Sequence, residues 1–197
     1  MNNVNYGGYL QLHSGTRWDI ENPTVSMVNI LDIATSLSKQ CRFAGHIEGE
    51  SPDGFYSVAE HSVYVSHEVE KKHPHDYELQ MLGLLHDATE MILVDVPRPI
   101  KKYLTGYYEL EAKTWKPIAQ AFKLERFPDP LIKVILDADN AVLLAEKEQI
   151  VPSKDPWEWA KGLPVADVKI QCMLPGEARL LFLDRFVELN NKRSIPQ

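Results

Sequence analysis

The sequence is poor in cysteine. It holds two among 197 residues, Cys41 and Cys172, far apart and forming no C-x-x-C. That gives no paired-thiol motif, and the chain reads as carrying two free thiols in a reducing compartment. Long apolar runs are missing too. No stretch of 18 or more apolar residues occurs, and the opening "MNNVNYGGYLQLHSG" has no apolar signal core. Neither a membrane span nor a secretory leader is expected, and the expected location is the cytoplasm. Positive charge is also in deficit, with 21 Lys and Arg against 28 Asp and Glu and a formal charge of −7. Such a surface is unsuited to a nucleic-acid polymer. A small phosphorylated ligand is not excluded, because it needs only a local basic pocket. Internal repeats and linkers are absent, so residues 1–197 read as one domain.

Strand signals are weak, while helical periodicity is strong. "MVNILDIATSLSKQ" spaces Met27, Ile30, Leu31, Ala34 and Leu37 as one helical face, predicting a helix over 27–40 with Ser26 as its cap. After a glycine-rich loop, Ser57 and Glu60 have capping-box spacing, predicting a helix over 58–72. Asp76 can cap a third, "YELQMLGLLHDATEMIL", which ends before the corner made by Pro97 and Pro99. A fourth covers 107–122 with a possible bend at Pro117. Asp129 and Pro130 open a fifth over 130–149, and "GEARLLFLDRFVEL" forms a last one over 176–190. Between these two lies a proline-rich segment expected to pack by its indoles, Trp157 and Trp159. The fold class is all-α, a single-domain helical bundle.

Several polar residues stand where apolar ones belong. His61 lies between Val58 and Val65. His86 and Asp87 follow Leu84 and Leu85. Asp139 lies among Ile135, Leu136, Val142 and Leu143. Buried ionised groups are costly unless they pair, hydrogen-bond or hold a metal. His61 alone reads as a satisfied core histidine, and Asp139 alone could cap or pair with Lys133 or Arg126. Together they offer nitrogen and oxygen ligands to a divalent ion such as Zn²⁺, Mn²⁺, Co²⁺, Fe²⁺ or Mg²⁺. His13, His67, His73 and His75 lack such context.

The pattern of His61, His86–Asp87 and Asp139 resembles the metal motif of the HD-domain phosphohydrolase superfamily. "VAEHS" (58–62), "LLHDATE" (84–90), "DVPRPIKKY" (95–103) and the pair Arg17–Trp18 resemble its 5′-deoxynucleotidase branch. The similarity spans about residues 10–150, leaving 151–197 as an extension packed on the domain. "SGTRWDI", "CRFAGH" and "FYSVAEHSV" resemble a group of phage-encoded HD proteins. Within it, Arg17, Trp18 and Ile20 are similar to residues of phage enzymes that hydrolyse dATP.

The resemblance implies a metal at His61, His86, Asp87 and Asp139, with Glu90 as general acid/base. Asp95 would meet the sugar 3′-hydroxyl or a bound water; the same residue could instead be a turn cap. Arg17 and Lys101 would contact phosphates, with Lys102 as a solvated neighbour or a further contact. Trp18 would stack on a base or sit in the core. Ile20 would exclude a 2-amino group or be a core residue. Arg42 would bind phosphate or pair with an acid such as Glu60. His46 would touch a phosphate or close the pocket loop. The implied activity is a dATP triphosphohydrolase releasing deoxyadenosine and triphosphate. A 5′-deoxynucleotidase acting on monophosphates is the alternative, and a catalytically idle nucleotide-binding scaffold the second. A small deoxynucleotide is the expected partner. Homo-oligomer formation is expected from related enzymes and from the apolar "RLLFLDRF". A phage-encoded protein would act in its bacterial host's cytoplasm.

Overall fold

The computed structural model describes residues 8–48, 55–125 and 133–194. Two short strands, β1 (Tyr9–Gln11) and β2 (Arg17–Asp19), pair antiparallel with Leu10 opposite Trp18. Their turn closes through Gly15, whose φ of +90° suits glycine. Helix α1 (Ile30–Leu37) starts later than its periodicity predicts. Residues Val25–Met27 form a 3₁₀ turn and Val28 is extended, so Asn29 becomes the cap, accepting from Leu31 N at 2.9 Å.

Helix α2 (Val58–Lys72) has the predicted limits, and Ser57 Oγ accepts from Glu60 N at 3.1 Å. The reciprocal half of the box is not made. Glu60 is fully buried and accepts from the backbone N–H groups of Gln171, Cys172 and Met173 at 2.9, 3.2 and 2.8 Å. It also accepts from Tyr64 Oη at 2.8 Å. This carboxylate ties the C-terminal part of the chain to α2 and is not the partner of Arg42.

The predicted third helix is broken. Helix α3 (Tyr77–Leu85), capped by Asp76 on Leu79 N at 2.9 Å, stops before His86, and α4 (Glu90–Leu93) follows a turn. Beyond it come α5 (Arg98–Lys101), α6 (Tyr107–Ala121) with Pro117 inside, α7 (Lys133–Gln149) and α8 (Pro175–Ser194). The expected cap at Asp129–Pro130 lies outside the described residues.

Helix α2 packs on α3, α7 and α8, and α8 also meets α1 and α3. Val65, Val69, Leu82, Leu85, Ile135 and Phe182 are fully buried at these contacts. The approach of α2 and α3 is tight at Gly83, where an added Cβ would lie 3.1 Å from Val69 Cγ2. Helix α8 is part of the main core, through Ala178, Phe182 and Leu189. Its buried Arg185 reaches Ser66 Oγ at 3.0 Å, Gln80 Oε1 at 3.2 Å and Glu70 Oε2 at 3.1 Å. The fold is all-α apart from the small hairpin. No helix among the described residues is long and apolar enough to cross a membrane.

Candidate metal centre and its cavity

Helix α2 presents His61, the end of α3 presents His86 and Asp87, and α7 presents Asp139. These three segments converge. One donor atom from each of His61, His86 and Asp87 lies within 4.8 Å of the others. Asp87 Oδ2 is 3.2 Å from His86 Nε2 and 3.8 Å from His61 Nε2. Asp139 Oδ1 adjoins them, 3.3 Å from His61 Nε2. The imidazoles face one another with centroids 5.4 Å apart.

The outward-facing nitrogens fix the chemistry of the inward-facing ones. His86 Nδ1 is 2.9 Å from the carbonyl of Gly83. A carbonyl only accepts, so Nδ1 carries the proton. His61 Nδ1 is 2.5 Å from Glu146 Oε1. Glu146 is fully buried and also accepts from Tyr56 Oη at 2.8 Å and Arg42 Nη2 at 3.2 Å. Burial raises the Glu146 pKa, but Arg42, then His61, hold it below the ordinary carboxylate range. Ionised Glu146 therefore accepts a hydrogen bond from His61 Nδ1–H. Both Nε2 atoms are buried and make no hydrogen bond of acceptable geometry. A histidine whose Nδ1–H is anchored and whose Nε2 faces a carboxylate cluster suits a metal.

Charge reinforces this. Burial and Arg42 lower the His61 pKa, while Glu146 and Asp139 raise it, with a net rise to about 9. Nε2 is thus the position at which a proton and a cation compete. Burial raises Asp87 and Asp139, yet the histidines hold both well below the usual carboxylate range. Two imidazole nitrogens and two ionised carboxylates fit a first-row divalent ion.

The turn after α3 aims the acids. Ala88 N bonds Leu85 O and Glu90 N bonds Asp87 O, both at 2.9 Å, a tightening to i→i−3 spacing. Glu90 points inward, 3% exposed, with Oε2 buried and unbonded and Oε1 3.9 Å from Lys101 Nζ. Burial first, then Asp87 and Asp95, push its pKa well above the ordinary value. Burial and Asp87 also raise Asp95. Between them Val94 has φ 61° and ψ 162°, a conformation costly for a β-branched residue. The backbone N–H of Asp95 is held by Gln40 Oε1 at 2.9 Å.

These groups open onto a cavity of about 750 Å³. Asp87, Glu90, Asp95 and Asp139 line it beside Arg42, Arg98 and Lys101. His46 lies on its wall, exposed. The remaining predicted contacts lie elsewhere. Trp18 is fully buried in the main core and has no face to offer a base. Ile20 packs against that core. Arg17 is exposed on β2, its guanidinium 4.9 Å from the Tyr9 ring centre. Lys102 is exposed, 5.0 Å from the Tyr103 ring centre. None of the four lines the cavity. Arg42 is committed to Glu146, with Asp87 Oδ2 at 3.7 Å. Asp139 pairs with Arg98, whereas Lys133 pairs with Asp137.

Sequence reasoning missed Glu146, Tyr56 and the aromatic part of the wall, while Arg98, offered by the sequence as a cation for phosphates, does line the cavity. Glu146 stands seven residues after Asp139 on α7, hence on the same face, which was a usable signal.

No protein-family model matches the chain. It is similar to the uncharacterized protein RCAP_rcc00048 of Rhodobacter capsulatus, 36% identical over 140 residues, covering 70% of each chain. It is also 30% identical over 187 residues to the uncharacterized protein YfdR of Escherichia coli K12, covering 94% of this chain and 97% of YfdR. With that identity sustained over nearly the whole of both proteins, the chain belongs to the YfdR family.

Proposed function

We propose that the chain is a divalent-metal-dependent phosphohydrolase of deoxynucleotides, as its resemblance to HD-domain enzymes implies. The observation that carries this reading is the anchoring of both Nδ1 atoms, which leaves both Nε2 atoms facing Asp87. His61, His86, Asp87 and Asp139 would hold the ion. When bound, it supplies Lewis acidity to a phosphate oxygen and acidifies a water.

The chain's own groups supply the rest. Glu90, protonated by its burial, gives a proton to the leaving oxygen. Lys101 beside it neutralises the carboxylate that results. Arg98 offers a planar fork to phosphate oxygens at the cavity mouth. Asp95 accepts from the sugar 3′-hydroxyl. Arg42 keeps Glu146 ionised, which orients His61.

The leading substrate is dATP, cleaved to deoxyadenosine and triphosphate, on the resemblance described above. A 5′-deoxynucleotidase is the second reading. It is favoured by the pairing of Arg42, Arg98 and Lys101 with acids, which leaves little positive charge for β- and γ-phosphates. Action as a homo-oligomer in the cytoplasm belongs to the same proposal. The test is a panel of dATP, dGTP, 2-amino-dATP, dCTP, dTTP, ATP and the deoxynucleoside monophosphates, each with Mn²⁺, Co²⁺, Zn²⁺ or Mg²⁺. Intact triphosphate released from dATP supports the first reading. Orthophosphate released from monophosphates supports the second. No turnover with any metal overturns both and leaves a nucleotide-binding scaffold.

A further inference from the structure

The cavity wall is polar in part and aromatic in part. The acids and cations already described share its wall with Phe43, Trp157 and Trp159, and the Phe43 ring centre is 5.7 Å from Arg42 Cζ. The indoles of Trp157 and Trp159 stack with centroids 5.9 Å apart and planes 23° apart. They are set by a 3₁₀ turn, Glu158–Ala160, whose Ala160 is buried while Trp159 stays 55% exposed. A tryptophan so exposed on a cavity wall leaves more than half of its surface uncovered by the described residues. Trp157 backs it and limits its rotamers, which lowers the entropy lost when a ring lands on the outer face. Phe43 reaches the same wall from a turn in which Phe43, Ala44 and Gly45 all have positive φ, a costly backbone held at the cavity edge.

We infer that Trp159, backed by Trp157, is the stacking platform for the base of the nucleotide whose phosphate faces the metal centre. This rests on the proposed nucleotide reading and moves base recognition to the C-terminal segment. Trp18 cannot serve, being fully buried. The platform also predicts a selectivity. Every base has a π face, so stacking tolerates any of them and favours the larger purine overlap. Purine deoxynucleotides should therefore bind more tightly than pyrimidine ones, with adenine and guanine little separated by this surface.

The experiment is calorimetric titration of the full, metal-free protein with dAMP, dGMP, dCMP and base-free 2-deoxyribose 5-phosphate. The wild type should bind the purine monophosphates most tightly and deoxyribose phosphate much more weakly. Trp159→Ala should weaken dAMP binding about tenfold, the scale of one lost base–aromatic stack, and Trp159→Phe should keep most of it. Unchanged dAMP affinity in Trp159→Ala, or equal wild-type affinity for dAMP and deoxyribose phosphate, would overturn the inference. Binding needs no turnover, so the two readings fail separately. The expected pattern without hydrolysis would overturn the phosphohydrolase reading alone. Hydrolysis with an unchanged KM in Trp159→Ala would overturn the platform alone.

Discussion

Glu146→Gln separates anchoring from ligation, because Glu146 meets His61 at Nδ1 and not at the candidate ligand atom Nε2, and also accepts from Tyr56 and Arg42. Glutamine keeps the volume and removes the charge. Among the described residues, the Arg42 guanidinium is then left buried with Asp87 as its ion-pair partner, at 3.7 Å. Breaking a buried ion pair from one side costs about 3–5 kcal/mol. For a chain of this length that is a fall in Tm of about 6–20 °C. His61 also loses the acceptor that fixes its Nδ1 proton, and loss of such an outer partner weakens metal binding about 10- to 100-fold. The assay is thermal unfolding of the metal-free protein, followed by Mn²⁺ titration above the His61 pKa of about 9, where proton competition has ended. A Tm within about 2 °C of wild type together with an unchanged Mn²⁺ affinity would refute the anchoring argument.

Four further outcomes follow from the same geometry. Glu90→Gln should lower kcat by about 10²–10⁴ while leaving bound metal intact, checked by steady-state kinetics and elemental analysis. Because the folded Glu90 pKa is raised, the unfolded state loses this proton first as pH passes 4.5. Stability is then lost with rising pH, so the advantage of Glu90→Gln in Tm should be absent below pH 4.5 and grow above it. Metal affinity should fall about tenfold per pH unit below the His61 pKa of about 9, with one proton released per ion, measured by calorimetry in buffers of different ionisation enthalpy. Val94→Gly should leave Tm unchanged or raised, since relief of about 1–3 kcal/mol of strain meets or exceeds glycine's usual cost of about 0.5–1 kcal/mol. A clear fall in Tm would remove the strain at Val94 from the account.

How much of this was readable beforehand differs from element to element. Helix α2 was legible to its ends, because Ser57 is a strong cap and the apolar spacing is unbroken. His61, His86, Asp87 and Asp139 stood out by the same logic, as polar side chains at apolar positions. The break after Leu85 was hidden, because the i→i−3 tightening leaves the composition of "LLHDATE" looking helical. The hairpin was hidden by its brevity, with three largely exposed residues in β1. Glu146 sits in "AEKEQ", which reads as a solvated helix end until Arg42 and Tyr56 arrive from distant segments. Trp18 was ambiguous between stacking and packing, and a fully buried ring decides for packing. Trp157 and Trp159 were expected to pack their segment against the domain. Their place at the cavity depends on how residues 150–173 cross α2, which Glu60 directs through contacts more than a hundred positions away.

The central claim is that His61, His86, Asp87 and Asp139 hold one catalytic divalent ion. Its most direct test is anomalous diffraction from crystals soaked in Mn²⁺, paired with the His61→Ala variant. The account predicts a single strong peak bonded to His61 Nε2, His86 Nε2 and Asp87, with Asp139 beside it, absent in the variant. A peak elsewhere, or a peak at this position that survives His61→Ala with full strength, would contradict it.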